Sequence, residues 1–138
     1  MKASLVPGAA GSASIVVDAA RTIDFMGEQA RVYATPMLVR DIEMATRDFL
    51  LHHLDPGEDS VGTRVEIDHL AATLMGQAVT LKFTVAETNG RAVTFAVEGH
   101  DGIDAICRGS HSRFVVDVAK TRARLAAKAQ KAGLAAAA

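Results

Sequence analysis

Three side chains in this sequence have the chemistry to act together: the hydroxyl of Thr35, the carboxylate of Glu43 and the imidazole of His69. An imidazole can take a proton from water or a hydroxyl and later return it to a leaving group. A carboxylate beside it can act as base or orient the ring. A threonine hydroxyl is a weak nucleophile unless a base adjoins it. Each residue also has a plain structural explanation. Thr35 precedes Pro36, and Thr-Pro is ordinary chemistry for a helix start. Glu43 lies four residues before Arg47, a surface pair worth about 0.2–0.5 kcal/mol. His69 falls on the apolar side of an alternating segment, where a histidine bonded to backbone is common.

The elements that must position these groups can be read from the pattern. Thr63–Thr73 alternates, with Val65, Ile67, His69 and Ala71 on one side and Arg64, Glu66, Asp68 and Leu70 on the other. That period predicts a strand with His69 facing the core. Thr35 as N-cap and Pro36 at the first helical position open a helix that runs to about His53, with Leu38, Ile42, Ala45 and Phe49 as its apolar stripe. Its first turn would offer free N–H groups to an oxyanion. Asp55-Pro56-Gly57 ends it in a turn. Glu43 sits on the wheel between the flank of Val39, Thr46 and Leu50 and the charged side of Arg40 and Arg47.

Strands are expected over Ile15–Ile23, Gln77–Thr88, Arg91–His100 and about Ile103–Val118, with Asp24–Arg31 as a loop or lid. Asn89-Gly90 reads as a type I′ hairpin turn, and Asp101-Gly102 has similar turn chemistry. Residues 1–13 are expected to form a mobile leader, 14–118 the domain, and 119–138 an Ala/Lys/Arg-rich, solvated tail. One strand, one helix and a run of long antiparallel strands make an α+β order. A curved sheet wrapped around one central helix, the hot-dog fold, satisfies it. Such a small sheet leaves exposed edges and half-covered faces that a second protomer could bury.

Composition narrows the function classes. The chain has 138 residues, 49% hydrophobic and 22% charged, enough for one globular domain. A formal net charge of -1 gives no electrostatic case for nucleic acid or an anionic membrane. The single cysteine, Cys107, excludes an internal disulfide and fits a reducing compartment. With no sustained apolar run at the start and no span of ~20 apolar residues, a cytoplasmic protein is expected. No His/Cys cluster has metal-ligand spacing, so no metal and no cofactor are expected.

An ordered set of segments adds more. Val32-Tyr33-Ala34-Thr35-Pro36, Glu43, Val61-Gly62-Thr63, His69-Leu70-Ala71-Ala72-Thr73 with Gly76, Asn89-Gly90-Arg91, His100-Asp101-Gly102 and Gly109-Ser110-His111-Ser112-Arg113 follow one another. Together they resemble the fluoroacetyl-CoA thioesterase family and its hot-dog relatives, over roughly Ser14–Val118. The resemblance implies a homodimer that hydrolyses a short acyl-CoA thioester, with CoA entering only as part of the substrate. It implies Thr35, Glu43 and His69 as the catalytic trio, and Gly62 and Arg113 as contacts to substrate or CoA. The family's name-giving enzyme carries an aromatic lid before its Ala-Thr motif. Here Phe25-Met26-Gly27-Glu28-Gln29-Ala30-Arg31 occupies that place, with Met26 and Gln29 where aromatics are expected. A less selective acyl-CoA thioesterase is therefore the leading expectation. A non-catalytic acyl-CoA-binding dimer and an enoyl-thioester hydratase or dehydratase are the alternatives. His111 is expected to be structural.

Overall fold

The computed structural model describes residues 1–134. The chain runs β1 (Ala10–Val16), a small hairpin of β2 (Thr22–Ile23) and β3 (Val32–Tyr33), then helix α1 (Thr35–Leu51). Four long strands follow: β4 (Glu58–His69), β5 (Ala78–Asn89), β6 (Ala92–His100) and β7 (Ala105–Asp117). Helix α2 (Val118–Lys131) closes the described chain. The main sheet is antiparallel in the order β1-β5-β6-β7-β4, so β1 and β4 are its edges. It curves around α1, as the hot-dog expectation requires.

The core follows from two periodicities. Val79, Leu81, Phe83 and Val85 of β5, and Val93, Phe95 and Val97 of β6, are the inward residues of alternating strands. Leu38, Ile42 and Leu50 of α1 pack against them. Phe49, Phe83 and Phe95 meet edge to face with ring centroids 5.4–6.0 Å apart, the arrangement aromatic quadrupoles favour.

Several boundaries differ from the sequence reading. The residues expected as a mobile leader join the fold: β1 pairs with β5 along Ala10–Val16, and Leu5 is buried. Small Gly/Ala/Ser side chains resemble a linker, but here they lie along a curved sheet edge close to Phe49 and Phe83. The expected strand over Ile15–Ile23 is therefore two short pieces. The β5–β6 turn has Gly90 and Arg91 at its centre, and only Gly90 takes a positive φ (59°). That is the pattern of a II′ turn rather than I′. The expected tail forms α2 as far as Lys131, capped by Asp117, whose carboxylate accepts from Lys120 N–H at 3.0 Å. Ala135–Ala138, the end of that expected tail, lies outside the described residues.

Candidate active site

Thr35 is the first residue of α1, and Ala34 takes the N-cap position. The Thr35 hydroxyl is thus free of capping and lies 2.8 Å from His69 Nδ1. His69 is the last residue of β4; the strand ends there rather than at Thr73. The chain turns because Leu70 N–H bonds Ile106 O and Thr73 O accepts from Tyr33 N–H. Thr73 is buried with its hydroxyl on Asp101 at 3.0 Å, and Asp101 also accepts from the N–H groups of Ile103 and Asp104. Together the HLAAT and HDG segments fix the strand end that carries the imidazole.

His69 is half-buried, and its Nε2 is enclosed with no hydrogen-bond partner among the described residues. Burial pushes its pKa below the ordinary 6.5. Its reachable nitrogen is Nδ1, already on the Thr35 hydroxyl. The helix start supplies less than expected for an oxyanion. Pro36 has no N–H, and Met37 and Leu38 N–H both bond Ala34 O at 3.0 Å. Thr35 N–H is the donor left in that turn.

Tyr33 backs this pair, its ring 6.3 Å from that of His69 at an interplanar angle of 81°. The Tyr33 hydroxyl donates to Asp41, which is buried on α1 and also receives Arg21 through Nε at 2.9 Å and Nη2 at 3.2 Å. Burial first, and then the Asp41 carboxylate, raise the Tyr33 pKa. Sequence reading passes over this trio because Asp41 falls inside an apolar helix face, and a helical period marks only the position. Asp41→Ala would strand the buried Tyr33 hydroxyl and release Arg21. It is expected to cost about 2–3 kcal/mol, read as a lowered midpoint in urea unfolding; an unchanged midpoint would contradict the role.

Glu43 belongs to a second group. Its expected Arg47 partner is instead held by Asp59, through Nε at 3.0 Å and Nη2 at 2.7 Å. Glu43 is left facing Gly62, where a Cβ would stand 2.3 Å from Glu43 Oε1 and 3.2 Å from His111 Cε1. A β-bulge at Gly62–Arg64 lies at this point of the β4–β7 ladder, a device that re-aims a strand. His111 is fully buried, with Nδ1 on Arg64 O at 2.8 Å. A carbonyl only accepts, so Nδ1 carries the proton and Nε2 accepts from Arg113 Nη1 at 3.2 Å.

Arg113 lies beside this group. It is buried inside the chain, with Nε on Ser60 Oγ at 2.8 Å and Nη2 on Ser60 O at 2.9 Å. Desolvation lowers its pKa, and the neighbouring Glu43 charge opposes that. Its placement supports the Gly62–Glu43 corner from beneath rather than facing an open surface. Only a guanidinium on the inward face of a strand gave notice of this.

The five expected site residues thus form two groups within one chain: Thr35 with His69, and Glu43 with Gly62 above Arg113. Among the described residues, no hydrogen bond joins Glu43 to Thr35 or His69. Eight residues of helix separate Thr35 from Glu43, a rise of about 12 Å. Seven residues of β4 separate Gly62 from His69, about 20 Å. No group of three or more potential metal ligands occurs among the described residues.

An antiparallel sheet wrapped around one long helix is the hot-dog architecture. Comparisons with known proteins agree. The family described as fluoroacetyl-CoA-specific thioesterase matches residues 17–119. The fluoroacetyl-CoA thioesterase of Streptantibioticus cattleyicolor is 36% identical over 101 residues, 73% of each chain. A variant of the fluoroacetyl-CoA-specific thioesterase FlK, solved with fluoroacetate and CoA, superposes with a TM-score of 0.78 at 31% identity, covering 85% of this chain and 99% of that one. A Thermus thermophilus hypothetical protein, a thioesterase superfamily member, gives 0.84 at 29% identity over 92% and 95%. The chain belongs to the fluoroacetyl-CoA-specific thioesterase family, and it is a thioester hydrolase of the acyl-CoA class.

Proposed function

We propose that this chain works as a homodimer that hydrolyses small acyl-CoA thioesters, with each active site assembled from both subunits. The observation that carries this is the placement of the two half-sites toward opposite stretches of an exposed edge strand. Among the described residues β4 has no strand on its outer side, and Val61 and Val65 are exposed on it. Such an edge invites pairing. Antiparallel pairing of two β4 strands about a twofold axis at Glu66 would, once the bulge is counted, set Gly62 of one chain opposite His69 of the other. Glu43 of one subunit would then face the Thr35–His69 pair of its partner across a shared cleft.

In this reading proton traffic runs through His69 Nδ1, because Nε2 is enclosed. Nδ1 takes the proton of the Thr35 hydroxyl, or of a water that hydroxyl positions, as the thioester carbonyl is attacked. The same nitrogen returns the proton to the departing CoA thiolate. Glu43 activates water or orients the reacting groups, and Thr35 N–H and the Gly62 backbone face the developing oxyanion. The reaction so written needs water and side chains alone. The exposed Phe25 and Met26 of the 24–31 loop and the polar Gln29 suit a site less selective than one closed by aromatics. We place the protein in the reducing cytoplasm, a setting that suits the buried, unpaired Cys107. No described helix is long and apolar enough to cross a membrane.

The test is thiol release from a panel of short, medium and aromatic acyl-CoAs. Turnover of several short acyl groups is expected, and turnover of fluoroacetyl-CoA alone would contradict the broad-selectivity reading. No thiol from any of them would sink the function.

Acid should act on both rate and stability. His69 and His111 have pKa values below 6.5 in the folded chain, each chiefly through desolvation. As pH falls through 6.5 the unfolded chain therefore takes up these protons before the folded one. The stability associated with them is present above 6.5 and lost as pH drops through the window below it. Melting temperature should decline across that window, and the acid limb of kcat/KM should have its midpoint below 6.5. An acid limb centred at or above 7 would exclude His69 as the base.

A further inference from the structure

We propose that the groove between Phe114 and the basic face of α2 binds the 3′-phospho-ADP end of the substrate's CoA; this rests on the acyl-CoA reading of the site. The helix carries Lys120, Arg122, Arg124, Lys128 and Lys131 and no acidic residue. At 100° per residue, Lys120, Arg124, Lys128 and Lys131 fall within one arc of about 80°, with Arg122 on the far side. Like charges spaced four apart on one helix face repel, so this stripe weakens the helix unless an anion meets it. Nothing on α2 is buried, so the stripe has no role in packing.

A surface cavity of about 200 Å³ lies at the foot of the stripe, lined by Arg91, Phe114, Asp117, Lys120 and Arg124 among others. Its cations outnumber its one carboxylate, and Asp117 already accepts from Lys120 N–H. Arg91 engages only Nη1, on Glu58 at 3.3 Å and on Val115 O at 3.5 Å, and keeps its other donors to spare. Phe114 is exposed on the outer sheet face and offers an aromatic surface for a purine. Three phosphates and an adenine match three cations and an aromatic face.

The cavity is also within reach of the chemistry. Phe114 pairs with Val61, and Arg113 with Gly62. Four residues of β4, about 13 Å, separate Gly62 from Glu58, which pairs with Asp117 just before α2. An extended pantetheine arm can pass from the Gly62 corner around that end of the strand and deliver its phosphates to Lys120 and Arg124. A free nucleotide lacking the arm would meet the same cations, so the groove recognises the nucleotide end itself.

Calorimetry on the full chain with CoA, 3′-dephospho-CoA and pantetheine tests this. Wild type should bind CoA at least about tenfold more tightly than pantetheine, with dephospho-CoA between them and the advantage shrinking as salt is raised. Lys120→Glu with Arg124→Glu should abolish most of that advantage and leave pantetheine binding unchanged, whereas Arg122→Glu should retain it. Equal binding of CoA and pantetheine by wild type, or CoA binding unchanged in the double variant, would overturn the proposal. So would a double variant that keeps CoA binding but no longer accepts acyl-carrier-protein thioesters, since the stripe would then dock a protein. A wild type that binds CoA as expected yet releases no thiol from acyl-CoAs would refute the hydrolase reading and leave the nucleotide groove standing.

Discussion

Mixing two inactive variants, His69→Ala and Glu43→Gln, is expected to restore about a quarter of the wild-type activity. Each variant alone should lose about 10²–10⁴ in kcat, the range that general acid–base groups supply. Both should stay folded, since neither residue belongs to the buried apolar core. Subunit exchange after dilution and reconcentration would make half the dimers mixed. In a mixed dimer one site combines both lesions, while the other pairs the intact His69 of one chain with the intact Glu43 of its partner. Half the dimers with one working site of two gives the quarter. A site built within one chain predicts no recovery, because every chain then carries one lesion. The experiment turns the spacing along β4 into a yes-or-no measurement, and single-variant activities near wild type would dismiss both residues.

The sequence disclosed the elements better than their joints. Alternation on β5 and β6 placed Val79 to Val97 correctly because both strands lie within the sheet and bury one face. On β4 the same rule placed His69 on the inward side but said nothing of the bulge at Gly62, or that Val65 would be exposed at an edge. Periodicity reports facing, whereas exposure depends on what lies beside the strand. The Thr35–His69 contact was legible only as a possibility, since 34 residues separate the partners. Conversely, the surface pair suggested for Glu43 and Arg47 was local and plausible, yet Asp59 outcompeted it with a bidentate grip. Arg113 shows the remaining gap: residue type marks a guanidinium, and only the packing shows its bonds to Ser60 and His111. Local pattern does not fix which of several long-range partners wins.

Gly62→Ala should separate geometry from stability at the same corner. The added methyl would stand 2.3 Å from Glu43 Oε1 and 3.2 Å from His111 Cε1. The His111 ring is fixed at both nitrogens, by Arg64 O and Arg113, so it yields little. Glu43 is a flexible side chain with no hydrogen bond to the rest of the described chain, and it can swing aside. Gly62 needs no positive φ, so alanine brings no backbone strain there. The melting temperature should therefore change by only a few degrees, the response to about 1 kcal/mol or less. The carboxylate, however, must leave its seat by about 1 Å or more, and displacements of that size cost about 10²-fold in rate when a reacting group is misplaced. The expected signature is a large fall in kcat at nearly constant stability. A variant that melts far earlier would show Gly62 to be a packing residue. One that keeps full activity would show that Glu43 does not work from the position it occupies over this glycine.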